Sequence, residues 1–153
     1  MAKFKFEMAN ILSLKENIAT QKEQEFGKAV QLLVAEQKKL DDLEKNKSDA
    51  MAYLRGEMGI KIQPAEFQRT QVYVEFLKEK IKEQKEVIKR ALQFVEHKRY
   101  ELIEATKEKK MLEKLKEKKF EAYTEEEKQA EGKTVDEVVS YKYGIARKAL
   151  QIA

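Results

Sequence analysis

Apolar residues recur in the first third of the chain at Phe4, Met8, Ile11, Ile18, Phe26, Ala29, Leu33, Leu40, Leu43, Ala50 and Leu54. The steps are mostly alternating threes and fours, which keeps these side chains on one face of a helix and marks a narrow heptad-like seam. Lys15, Lys22, Glu36 and Lys47 interrupt the stripe. A seam this narrow suits one helix packed on one partner rather than a helix inside a bundle. The pattern predicts helix one over about residues 6–54.

The pattern then stops at Arg55-Gly-Glu-Met-Gly-Ile-Lys-Ile-Gln-Pro64, which holds two of the five glycines and the only proline. Pro64 suits the first position of a new helix, so residues 55–64 are predicted to reverse the chain as the turn of an αα-hairpin. From Ala65 a longer, more regular seam runs through Phe67, Val74, Leu77, Ile81, Ile88, Ala91, Val95, Leu102, Ala105, Leu112 and Tyr123, with polar residues at Thr70, Gln84, Lys98 and Lys109. Helix two is predicted over about 65–131.

At about 1.5 Å per residue the helices span roughly 70 Å and roughly 100 Å, so they cannot match. Folded back about residue 60, position i faces about 120 minus i. Phe4 then lies near Lys116, and a charged C-terminal overhang is implied. Gly132 should interrupt helix two, because Thr134-Val-Asp-Glu137 directly after it has the form of a capping box. Residues 132–153 are therefore expected to be a mobile or partly helical tail, set apart from a hairpin over 1–131. Val135, Val138, Val139, Tyr141, Tyr143 and Ile145 would either fray or dock on a partner.

Composition sharpens this reading. Ala, Glu, Lys, Leu and Arg make up 84 of 153 residues, or 55%, and charged residues are 39%. Such fractions belong to long helices and coiled coils, and the apolar residues are too interspersed with charge to build a broad core. The fold class expected is all-α, a long antiparallel two-helix coiled coil. The absence of cysteine excludes disulfides, thiolate metal sites and a cysteine nucleophile, and fits a reduced, cytoplasmic setting. No apolar run approaches the ~20 residues needed to cross a bilayer, and none is of signal-peptide length, so direct membrane insertion is not expected. A net charge of only +4 from 32 basic and 28 acidic residues describes solvated helix faces more than a nucleic-acid footprint.

Candidate chemistry is sparse. His97 is the only histidine, and with Glu101 on the same face it supplies too few ligands for a metal site. It reads as a surface or seam residue. Gly56-Glu-Met-Gly59 is turn punctuation rather than a phosphate-binding loop. A two-helix rod offers no water-excluding cavity for nucleophilic catalysis, so no enzyme, cofactor or metal is expected.

Two features point to partners. Residues 107–119 carry seven lysines and three glutamates, while 121–131 carry five glutamates and one lysine. This reversal of sign is either ordinary helix solvation with i to i+4 pairs or a basic block, with Lys114, Lys116, Lys118 and Lys119, suited to an acidic receptacle. No arginine cluster or stacking aromatic accompanies those lysines, which argues against nucleic acid. Tyr73 and Phe76 lie off the Val74/Leu77/Ile81 seam, with Tyr53 near the same end of the hairpin. These rings either cover the hairpin or anchor a partner.

The opening Phe4-Lys-Phe6 followed by Ile11-Leu-Ser-Leu-Lys-Glu16 resembles the start of the FliJ family of flagellar export proteins. Tyr73-Val-Glu-Phe-Leu-Lys-Glu-Lys-Ile81, Lys110-Met-Leu-Glu-Lys-Leu-Lys-Glu-Lys-Lys-Phe120 and the segment from Gln129 to Glu137 resemble three further stretches of that family, in the same order. The resemblance covers nearly the whole chain. It implies a hairpin similar to the central stalk of rotary ATPases, at the inner face of the cell membrane at the flagellar base. It also implies the partners: the hexameric export ATPase and its regulator, the cytoplasmic domain of the membrane export gate, and the export chaperones. On that basis Lys114, Lys116, Lys118 and Lys119 are expected at the ATPase, and Tyr73, Phe76 and Leu77 at the gate. The free protein is expected to be a monomer. The alternative is a cytoplasmic coiled-coil spacer or dimeriser, separable by whether mass changes with concentration.

Overall fold

The structure is a computed structural model that describes residues 3–152; Met1, Ala2 and Ala153, at the ends of the predicted hairpin and tail, lie outside the described residues. It contains two helices, α1 (Ala9–Leu54) and α2 (Pro64–Ile152), with no strand among the described residues. They form an antiparallel helical hairpin. Two units are distinguished, one of residues 17–106 and one of residues 1–16 with 107–153.

The unit of residues 17–106 contains the turn. α1 ends because Gly56 adopts φ 73°, a left-handed conformation that costs glycine little. Its amide donates to the Tyr53 carbonyl at 3.1 Å and the next amide, of Glu57, donates to the Ala52 carbonyl at 3.2 Å. This pair of bonds is a Schellman cap. Gly59 is also left-handed, at φ 70°. α2 starts at Pro64, and Phe67 N–H donates to the Gln63 carbonyl at 2.9 Å, making Gln63 the N-cap residue. The Tyr53 hydroxyl donates to Glu66 Oε2 at 3.2 Å, tying the two helix ends together.

The buried residues of this unit are small or branched: Ala19, Ala29 and Ala50 from α1, and Val74, Leu77, Ile81, Ala91, Val95 and Ala105 from α2. The α2 seam read from the sequence is buried or half-buried from Thr70 to Leu112, whereas Phe67 is exposed. On α1 the early seam is shifted by one residue. Ile11 is exposed and Leu12 buried in its place, and Ala19 is more deeply buried than Ile18. Leu12, Lys15, Ala19, Lys22 and Phe26 keep strict alternating steps from the packed face further along, a series that Ile11 leaves.

In the unit holding both termini, residues 3–6 are not helical, and α1 starts at Ala9 rather than near residue 6. An extended residue advances about 3.3 Å against 1.5 Å in a helix. Phe4 therefore reaches past Lys116, and its ring stands 5.3 Å from that of Phe120 and 5.5 Å from that of Tyr123.

α2 continues through Gly132 without a break, contrary to the interruption predicted there. Thr134 does not cap a new helix; its hydroxyl donates to the Ala130 carbonyl at 2.9 Å, as mid-helix threonines do. One glycine costs a helix about 1 kcal/mol relative to alanine, and without proline or a competing fold the strong helix formers around it prevail.

Candidate partner-binding surfaces

The four lysines predicted to meet the ATPase, Lys114, Lys116, Lys118 and Lys119, are all exposed on α2. None makes an ion pair among the described residues. Lys119 also lines an open groove of about 740 Å³ between the N-terminal strap and α2, together with Phe4, Phe6, Leu115 and Tyr123. Removal from water and the neighbouring Glu127 push the Tyr123 phenol above its ordinary range. Lys15, near the start of α1, bonds Glu108 at 2.7 Å.

The three residues predicted at the gate separate. Tyr73 is exposed and Phe76 is 53% exposed, but Leu77 is only 2% exposed. Leu77 therefore belongs to the packed seam, and the assignment of its side chain to a partner is corrected. Adjacent helical positions lie about 100° apart, so a residue next to an exposed ring can face the core. Sequence reasoning missed Val72, which is 66% exposed. It stands one turn before Phe76, and the same periodicity that buries Val74, Leu77 and Ile81 turns both residues outward. Lys80 Nζ lies 5.5 Å from the centre of the Phe76 ring, giving this patch a cationic edge. Tyr53, by contrast, is half-buried and committed to Glu66; burial first, then that carboxylate, raises its phenol above the usual range.

Two of the lysines that interrupt the seams, Lys22 and Lys98, meet carboxylates of the opposite helix. Lys22 bonds Glu101 at 3.0 Å and Lys98 bonds Glu25 at 3.1 Å, while the Lys22–Glu25 and Lys98–Glu101 distances within each helix are 3.5 Å. The result is a square of two cations and two anions across the hairpin. The bond from Lys22 holds the Glu101 carboxyl below the usual carboxylate range, and the bond from Lys98 does the same for Glu25. The same bonds raise both ammonium groups against partial desolvation. His97 is exposed, with Nε2 2.8 Å from Glu101 Oε1. Among the described residues no cluster of three or more histidine or carboxylate ligands occurs, and no helix is long and apolar enough to cross a membrane.

A helical hairpin held by a heptad seam, with charged and aromatic side chains turned outward, defines an all-α coiled-coil protein whose candidate functional features are exposed side chains. The model of the flagellar FliJ protein family matches residues 4–148, and the chain belongs to the FliJ family. The solved structure of a Chlamydia trachomatis protein described as a YscO homolog is similar, with a TM-score of 0.63 and 20% identity, covering 95% of this chain and 99% of that chain. At that identity the likeness concerns the fold. No curated relative matches the chain.

Proposed function

We propose that this protein is a non-enzymatic component of the flagellar type III export apparatus, a coiled-coil stalk that binds the export ATPase ring and the cytoplasmic domain of the export gate. The observation that carries this reading is the family match over residues 4–148, which takes in both helices and the turn between them. The unpaired Lys114, Lys116, Lys118 and Lys119 supply a basic contact for the ATPase. Tyr73 and Phe76, extended by Val72, supply an apolar contact for the gate. The regulator of the ATPase and the export chaperones are further partners in this reading, and the site of action is the inner face of the membrane at the flagellar base. All of these side chains are exposed, which makes them available for recognition.

The test is a pull-down of the full chain against the purified export ATPase and the gate's cytoplasmic domain from the same organism. Reversing the four lysines to glutamate should remove ATPase binding and leave gate binding intact. Failure of the unaltered chain to bind either protein would withdraw the export reading and leave the coiled-coil spacer.

A further inference from the structure

Glu36 bonds Gln84 across the hairpin, which sets the register of the unit of residues 17–106. One heptad further along that register comes a layer of Ala29 and Ala91, which are 2% and 8% exposed. Two alanines fill less space than the branched residues of a neighbouring layer such as Leu33 and Ile88, and an open groove of about 280 Å³ lies beside them. Leu32, Val87, Ala91 and Phe94 form its apolar lining, and Glu36 and Arg90 its polar lining. Val87, Ala91 and Phe94 recur at helical spacing on one face of α2, and Leu32 joins them from α1. Leu32 is 50% exposed and Phe94 is 45% exposed. Single exposed apolar side chains are ordinary, but two from different helices lining one groove form a seat for a third helix.

The charges around the groove say what that helix carries. Glu36 is already engaged, since its carboxylate accepts from Gln84 at 2.6 Å and pairs with Lys39 at 3.2 Å. Lys98, whose Nζ stands 5.4 Å from the centre of the Phe94 ring, is matched by Glu25. Arg90 at the groove and Lys28, one turn before Leu32, are exposed and make no ion pair among the described residues. The uncommitted charge beside the groove is therefore positive and complements an acidic occupant. We propose that an amphipathic helix of an export chaperone lies in this groove, with a bulky apolar side chain between Leu32 and Phe94 and carboxylates against Arg90 and Lys28. The proposal rests on the export reading, in which the ATPase and the gate each have another surface and the chaperones have none. Phe94 lies about 27 Å along α2 from Phe76, well over one helix diameter of about 10 Å, so the groove can fill while Tyr73 and Phe76 hold the gate.

Calorimetric titration of the full chain with the purified flagellar export chaperones of the same organism tests it. Leu32→Ala with Phe94→Ala should weaken binding by roughly tenfold or more. Arg90→Glu with Lys28→Glu should do the same, whereas Arg90→Lys with Lys28→Arg should bind like the parent chain. Circular dichroism should show helicity retained in all three variants, and pull-downs should show the ATPase and the gate still bound. A parent chain that binds the ATPase or the gate but no chaperone overturns the proposal and leaves the export reading standing, as do alanine and charge-reversed variants that bind the chaperone undiminished. Loss of gate binding by the Leu32→Ala/Phe94→Ala variant would assign the groove to the gate and overturn it too. A chain that binds none of the three proteins removes the export reading and this inference with it.

Discussion

Gln84 Nε2 donates to the Glu36 carboxylate at 2.6 Å and lies 2.8 Å from the Glu36 backbone carbonyl, so a single side chain of α2 grips both parts of one residue of α1. That bond, followed by the one from Lys39, holds the Glu36 carboxyl below the usual carboxylate range. Each residue interrupts its own seam, and only one register brings them together. A slip of one heptad would leave an amide and a carboxylate facing apolar neighbours with their hydrogen bonds unmade. This pair acts as a register pin for the unit of residues 17–106.

Gln84→Leu should therefore lower the melting temperature, because Glu36 is left charged without its main partner. Adding Glu36→Leu should recover or exceed the original melting temperature, since an apolar pair packs the same space without desolvating a charge. The double variant should lose register specificity, visible as a mixture of masses in light scattering. A double variant that stays uniform would show that the register is set by other pairs.

The square of Lys22, Glu25, Lys98 and Glu101 predicts a two-sided pH profile. Glu25 and Glu101 have lowered pKa values when folded, so their contribution is present above the unfolded value, near 4.5, and is lost as pH falls through the folded ones. Lys22 and Lys98 have raised values, so theirs is present below the unfolded value, near 10.5, and is lost as pH rises through the folded ones. Melting temperature should be flat between these limits and fall on both sides. Glu101→Gln should flatten the acid limb, and thermal melts across the pH range would reveal whether it does.

The fold was legible because two independent signals agreed: the heptad seam from Thr70 to Leu112, and the turn chemistry of Gly56, Gly59 and Pro64. The helix ends were less so. Ile11 and Leu12 are neighbours of equal apolarity, and only the geometry of the partner helix decides which one faces it. Gly132 illustrates the limit of local signals, since a capping-box sequence after a glycine is also a sequence that a continuing helix can tolerate. The lysine block could be located from composition alone. Leu77 was legible as a seam residue from its spacing with Val74 and Ile81, and only the family resemblance grouped it with Phe76; Val72 went unread because it stands beside the seam residue Val74 without sharing the seam's spacing.

Two glycines should respond to alanine with opposite signs. Gly56→Ala places a side chain in a left-handed position with no neighbour to clash with, so its cost is backbone strain of about 1 to 2 kcal/mol. Gly132→Ala sits within α2, also in open space, and should add helicity and about 0.5 to 1 kcal/mol of helix stability. Denaturant unfolding of the first and circular dichroism of the second measure these effects. A Gly132→Ala variant without added helicity would place the residue outside a stable helix.

Leu77 and Phe76 are adjacent in sequence and should separate stability from recognition. Leu77→Ala removes a side chain that is 2% exposed and should destabilise the hairpin by about 2 to 5 kcal/mol. Phe76→Ala with Val72→Ala removes side chains that are 53% and 66% exposed, and should change stability by only about 0.5 kcal/mol each. If the outward patch meets the export gate, the second variant loses gate binding while melting like the parent chain, and the first keeps gate binding at temperatures where it remains folded. Calorimetric melts paired with gate-binding titrations distinguish the two. A stable Phe76→Ala/Val72→Ala variant that still binds the gate would move the contact elsewhere on the hairpin. A large fall in its melting temperature would instead show that these exposed rings and branches support the fold.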